Sequence, residues 1–223
     1  MNFQLRNELR GLIFVMVGPG GVGKNTLMKA VLPKLQNLRQ LPTVTTRLPR
    51  AGEEHGRERF FVALDEFRRM IDGGELVEHE EVTPGKYYGV PRRYLEQALR
   101  AGQDLIADIE YSGAAKVKQF YPDNAVLIFI APPEPEVLAE RMRERGESEQ
   151  GIAERLARVQ REMGFQNACK YSIVNDVVED AIEELCRVIR IEQAARDTYW
   201  EEAEAEATSA RTTQSMRRVQ SSS

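Results

Sequence analysis

Gly18-Pro19-Gly20-Gly21-Val22-Gly23-Lys24-Asn25-Thr26 follows an unbroken apolar run, Leu12-Ile13-Phe14-Val15-Met16-Val17, and precedes Leu27, Ala30 and Val31 at helical spacing. A run with no polar group predicts a central strand of a parallel sheet covered on both faces. Strand, glycine-rich turn, lysine and helix in that order are the layout of a phosphate-binding loop. Glycines let successive backbone N–H groups point into one concavity, where they meet the positive end of the helix dipole, and both favour a polyphosphate. Lys24 adds a mobile full charge. The pattern G-x-x-x-x-G-K-[ST] is met at Gly18, Gly23 and Lys24, but Asn25 holds the hydroxyl position.

The same glycines also satisfy G-x-G-x-x-G, the dinucleotide fingerprint, which calls for an acidic residue about 20 positions on. From Leu9 to Gly52 there is no Asp or Glu, while Arg10, Lys24, Lys29, Lys34, Arg39, Arg47 and Arg50 are all positive. A site for several phosphates fits that charge pattern better than a dinucleotide site or a plain glycine turn.

The 223 residues allow one domain with insertions or two small ones. A net charge of −4 argues against a global nucleic-acid footprint. No apolar run reaches membrane-spanning length, and the N-terminus lacks a signal-peptide core. Cys169 and Cys186 are too few for a disulfide framework, and His55 and His79 lie too far apart for a local metal motif. A cytoplasmic location is the expectation.

Downstream, Pro33 is expected to end or kink the first helix. Thr43-Val44-Thr45-Thr46 reads as a strand from whose end Arg47 and Arg50 emerge, two guanidiniums suited to bidentate capture of one phosphate. Strands at 59–62, 76–82 and 87–90 alternate with tight turns and a helix capped by Asp65, and Pro91 opens the next helix. Asp104–Glu110 resumes the apolar sheet with carboxylates at its C-terminal end, where open α/β sheets place ligands. A further strand covers 125–130, an arginine-rich helical hairpin 136–167, a last strand 172–176 and a helix 181–191. From Glu192 the pattern fades into a frayed helix and then a Ser/Thr/Arg/Gln-rich tail expected to be disordered.

Taken together, Gly18 to Leu27, Thr45-Thr46-Arg47-Leu48-Pro49-Arg50-Ala51-Gly52-Glu53, Tyr87-Tyr88-Gly89, Asp108-Ile109-Glu110 and Ile173-Val174-Asn175-Asp176 resemble a guanylate kinase in order and spacing. The resemblance implies an α/β fold built on a P-loop NTPase-type parallel sheet flanked by helices. It has a core (9–42, 103–135, 169–191), an inserted small α+β GMP-binding subdomain (43–102) and a helical lid (136–168). It also implies transfer of the terminal phosphate of ATP to GMP with Mg²⁺. Gly18, Pro19, Gly20, Gly21, Val22, Gly23, Lys24, Asn25 and Thr26 would hold ATP, with Asn175 near adenine. Arg47, Arg50, Arg59 and Tyr88 would hold the GMP phosphate, while Thr43, Glu78, Asp108 and Glu110 read or orient the nucleoside. Lys24, Arg47 and the lid arginines Arg141, Arg145 and Arg155 would be catalytic, and Asn25 and Asp108 would face the metal. The implied partners are the two nucleotides, with neither nucleic acid nor membrane, in a monomer or homodimer.

This sequence departs from the family pattern at Asn25, at Arg59 in place of a usual tyrosine, at Val90 in place of a small hydroxyl residue, and at Glu110 in place of the commoner Asp. Two other functions stay open: a related P-loop kinase for another phosphorylated acceptor, and a non-catalytic guanylate-kinase-like binding module.

Overall fold

A computed structural model describes residues 8–50, 52–144 and 146–220. Along it run β1 (Ile13–Val17), α1 (Lys24–Val31), β2 (Leu38–Gln40), β3 (Thr43–Thr45), β4 (Arg59–Phe61), α2 (Leu64–Asp72), β5 (Leu76–Thr83), β6 (Lys86–Pro91), α3 (Arg92–Arg100), β7 (Asp104–Asp108), α4 (Tyr111–Phe120), β8 (Ala125–Ala131), α5 (Pro135–Glu144), α6 (Glu149–Met163), β9 (Tyr171–Val174) and α7 (Val178–Gln220). The chain divides into two units, one ending at Cys186 and one beginning at Arg187.

Every residue of β1 and β8 is buried, as a strand covered on both faces requires. β1 pairs in parallel with β7 on one side and β8 on the other, with Ile13 opposite Leu105 and Ala125. The complete sheet is five-stranded and parallel, in the order β2-β7-β1-β8-β9. A second, four-stranded sheet, β4-β3-β6-β5, is formed by the chain between β2 and β7. It has its own small apolar cluster of Val44, Phe67 and Leu76. Helix α4 packs against β1 and β8 of the first sheet and against β5 of the second, so one helix ties the two together.

Buried polar side chains brace the entry to β1. Asp104, fully buried, accepts the Leu12 N–H at 2.8 Å. Asn124 donates to the carbonyls of Leu9 and Gly11 at 2.9 and 2.8 Å. Gly11 is needed here, because a Cβ would sit 2.3 Å from the Gln103 carbonyl oxygen.

Several local expectations differ from what is observed. Helix α2 starts after Ala63, so Asp65 lies inside its first turn rather than at the cap. It still faces the positive helix end and pairs with Arg68 at 3.6 Å. Pro91 ends β6 and precedes α3 rather than lying within it. The expectation at Pro33 holds: α1 ends at Val31, and Pro33 sits in the 3₁₀ turn Leu32–Lys34 that follows. Strand β2 has no sequence signature, since two of its three residues are Arg39 and Gln40.

The second unit is helical to Gln220, although the sequence pattern predicts fraying from Glu192. Its Ala, Glu and Arg content carries high helix propensity without an apolar stripe. Residues 221–223 lie outside the described residues. Among the described residues no helix is long and apolar enough to cross a membrane.

Asn124→Ala should destabilise the fold by about 2 kcal/mol or more, because two buried carbonyls lose their donor. Urea unfolding checks this: the midpoint should fall while the slope with denaturant stays unchanged.

Candidate active site

The glycine-rich turn links the C-terminal end of β1 to the N-terminus of α1. Gly18 adopts φ 142° and Gly23 φ 100°, in the region that L side chains rarely enter. Both also face a wall: a Cβ on Gly18 would lie 2.2 Å from the Ile130 carbonyl oxygen, and one on Gly23 would lie 2.5 Å from Asn175 Nδ2. Gly23 caps α1 without any side-chain hydrogen bond. The first N–H groups of the helix therefore remain turned to whatever occupies the turn. Lys24 folds back on this loop, donating to the Gly18 carbonyl at 2.6 Å and the Pro19 carbonyl at 3.3 Å. Its Nζ lies 3.7 Å from Asp108 Oδ1 at the end of β7.

The family resemblance puts Asn175 near adenine. It is 2 % exposed, directly after β9, and donates to the Val22 carbonyl at 2.7 Å. Its side chain braces the loop from beneath, because the parallel order of β1, β8 and β9 brings the end of β9 under the turn.

The arginines gather on the second sheet. Arg47, just after β3, makes a two-pronged pair with Glu53 at 2.7 and 2.6 Å. Glu53 also accepts the Arg50 backbone N–H at 2.8 Å and lies 3.9 Å from Arg59 Nε. The Arg47 hydrogen bonds, followed by the Arg50 backbone N–H, hold the Glu53 carboxyl down at about 2 against burial, which opposes them. Glu53 thus stays charged and keeps its grip unless the pH falls towards 2.

The Arg47 side chain is only 8 % exposed, and its Nε has no hydrogen-bond partner among the described residues. Arg59, on β4, donates to the Thr43 hydroxyl and stacks over the Tyr88 ring at 5.3 Å. Burial, and then the neighbouring Arg47 charge, pulls the Arg59 pKa below the ordinary arginine value. Two cations thus share a half-buried space with one carboxylate between them, an arrangement that favours an incoming anion.

At the opposite end lie carboxylates. Glu78, on β5, is 5 % exposed. Burial pushes its carboxyl up to about 7, Glu80 and Glu110 add to that, and Lys116 opposes it. Between pH 4.5 and 7 the folded protein therefore holds a proton at Glu78 that the unfolded chain has lost, so stability declines as pH rises through that window. Glu110 immediately precedes α4, and Glu80 accepts the Ser112 hydroxyl.

Two adjoining cavities collect these groups. One, of about 210 Å³, runs from Arg47, Arg50 and Arg59 past Tyr88 to Glu78 and Glu110. The other shares Thr43, the three arginines and Asp108 with the first, and reaches Asn25 at the start of α1. The start of α1 and the arginines therefore line one cleft.

Arg141 and Arg155 lie on α5 and α6, but their side chains are outside the described residues, as is Arg145 altogether. The described link across that turn is Arg143 to Glu149 at 2.8 Å. Glu53 is the residue that sequence reading passes over. Its signal is the regular three-residue spacing of Arg47, Arg50 and Glu53. Among the described residues no group of three or more His, Cys, Asp or Glu could hold a metal by itself. The oxygen donors Asn25 and Asp108 both line the second cavity, and so few protein ligands suit Mg²⁺, which keeps water and substrate oxygens.

Comparison with known proteins gives this cleft a family. The sequence model of guanylate kinase matches residues 10–192. The guanylate kinase of Ralstonia nicotianae is 40% identical over 196 residues, 87% of this chain and 86% of that one. That of Symbiobacterium thermophilum is 41% identical over 189 residues, covering 84% and 89%. The crystal structure of guanylate kinase from Anaplasma phagocytophilum superimposes with a TM-score of 0.66 at 33% identity, over 83% of this chain and 88% of that one. On its sequence and its fold, this chain belongs to the guanylate kinase family.

Proposed function

We propose that this chain transfers the terminal phosphoryl group of ATP to GMP, giving ADP and GDP. The observation that carries the reading is the junction of the two cavities. Asn25, directly after Lys24, lines one side, with Lys24 itself 3.7 Å from the shared Asp108; three arginines lie between, and a buried carboxyl stands at the far end. Phosphoryl transfer between two nucleotides needs in-line positioning and neutralised charge more than covalent help.

In this reading the loop N–H groups and Lys24 hold the ATP phosphates. Arg47, Arg50, Arg59 and Tyr88 hold the GMP phosphate, with the unpartnered Arg47 Nε–H aimed at one of its oxygens. Glu78 reads the base. Guanine presents N1–H and its 2-amino group as adjacent donors, and one ionised carboxylate accepts both. Adenine turns a bare N1 lone pair to the same carboxylate and is repelled. Because Glu78 titrates near neutrality when the cleft is empty, guanine must draw it into the charged form. Asn25 and Asp108 would hold Mg²⁺, which supplies charge compensation to the donor phosphates when bound. Arg141, Arg145 and Arg155 would come from the helical hairpin to cover the reacting phosphates.

Arg59 favours one second reading, an acceptor with more negative charge than GMP, since it adds a cation where the family has a neutral tyrosine. A panel of acceptors with ATP decides between them. GMP should react best, and Lys24→Ala should cost at least about 100-fold in turnover. A GMP rate no higher than that of AMP or a ribose bisphosphate would favour the second reading, and no ADP release with any acceptor would leave a binding module.

Glu53→Gln should raise the KM for GMP about tenfold, because Arg47 loses its charged anchor, with the KM for ATP little changed. Steady-state kinetics with each nucleotide varied in turn reads the split.

The pH dependence follows from Glu78. The ionised fraction rises about tenfold between roughly pH 6 and 8, so the KM for GMP should fall by a similar factor over that range. The ionisation of the GMP phosphate itself is common to wild type and Glu78→Gln, so the ratio of the two KM profiles isolates the carboxyl. A flat ratio would remove Glu78 from base recognition.

A further inference from the structure

Gly113 is the third residue of α4 and is buried. Glycine inside a helix is less favourable than alanine, so a backbone or packing reason is expected for it. The backbone supplies none, since Gly113 is not among the positive-φ glycines. The reason is space. A Cβ built on Gly113 would lie 2.7 Å from Glu78 Oε2, 2.8 Å from Glu78 Cδ and 2.8 Å from Ile109 Cγ2. The Glu78 carboxyl thus occupies the notch that the missing side chain leaves in the helix, and Ile109 closes it from the side. Both groups line the acceptor cavity.

A neighbouring glycine shows the contrast. A Cβ on Gly89 would meet the Glu78 main-chain oxygen and Leu76 Cδ1, both at 2.9 Å, so that glycine serves the close approach of β5 and β6. Gly113 alone of the two touches the carboxyl. The residue before it, Ser112, donates its hydroxyl to Glu80, so a single turn of α4 seats both carboxyls.

We propose that Gly113 is a positioning residue for base selection. By having no side chain it sets how far the Glu78 carboxyl stands back from the cleft, and with that the fit to guanine over adenine. The inference rests on Glu78 as the reader of the base. Glu78 is 5 % exposed and borders the acceptor cavity, so a methyl group at Gly113, 2.7 Å from Oε2, pushes its carboxyl towards that cavity. There it stands where the guanine edge would lie. A shift of this kind acts on acceptor binding and leaves the ATP loop alone.

The test is a cycle of four proteins: wild type, Gly113→Ala, Glu78→Asp and the double variant. Gly113→Ala should raise the KM for GMP by about tenfold or more and lower the GMP-to-AMP preference, with the KM for ATP within about twofold. Glu78→Asp, one methylene shorter, should harm the wild type. In the double variant the same shortening makes room for the added methyl group and should partly restore GMP affinity. A crystal structure of Gly113→Ala without nucleotide should show the Glu78 carboxyl displaced into the cavity.

Gly113→Ala kinetics equal to wild type, or Glu78→Asp costing the same in both backgrounds, would overturn the proposal. Should Gly113→Ala alone fail to fold, recovery of folding and GMP affinity in the double variant supports the steric account, and no recovery overturns it. Displacement of the carboxyl with an unchanged choice of base would instead overturn Glu78 as the reader.

Discussion

The cleft depends on a contact that only the absence of atoms permits. At Gly18 and Gly23 the chain turns from β1 into α1 while pressed against Ile130 and Asn175, in backbone conformations closed to most residues. A Cβ at Gly18 would press on the Ile130 carbonyl of β8, and one at Gly23 would displace the Asn175 side chain. Asn175 completes the seat by holding the Val22 carbonyl from beneath. The polyphosphate concavity is thus a property of three neighbouring strand ends, with the loop moulded on them.

The second organising feature is electrostatic. Arg47 and Arg59 stand in one half-buried space, where like charges repel at low dielectric. Glu53 makes that tolerable by taking both amino groups of Arg47 and approaching Arg59. One carboxylate cannot neutralise two guanidiniums, so the pair keeps a net positive charge. At the other end the reverse holds: Glu78 is buried beside Glu80 and Glu110 and sits near its titration point. The cleft is polarised from cation to carboxyl, as a nucleotide is polarised from phosphate to base.

Much of this is legible in the residues themselves. The run from Leu12 to Val17, the glycines after it and Lys24 read as strand, turn and helix because each follows local rules of burial and backbone freedom. Arg47 and Arg50 stand out by their place after a β-branched segment. The misses share a cause. Strand β2, with Arg39 and Gln40, is a strand only because β7 lies alongside to pair with it. The bond from Asn175 to the Val22 carbonyl depends likewise on parallel packing, which brings the end of β9 to the loop. The helix beyond Glu192 has propensity without periodicity, and sequence patterns weigh periodicity more heavily.

The sequence by itself determined the kind of fold and the chemistry on offer: a buried parallel strand leading into a glycine-rich loop and a lysine, two closely spaced arginines after a strand, and carboxylates at a strand end. These follow from short-range physics, in which neighbouring residues dictate backbone conformation and which faces are apolar. Tertiary structure alone decided who meets whom. The pairing of Glu53 with Arg47, the seating of Glu78 against Gly113 and the bracing of Val22 by Asn175 join residues from separate elements. Such contacts arise from the crossing of strands and helices in space, and no local pattern encodes a distance between them.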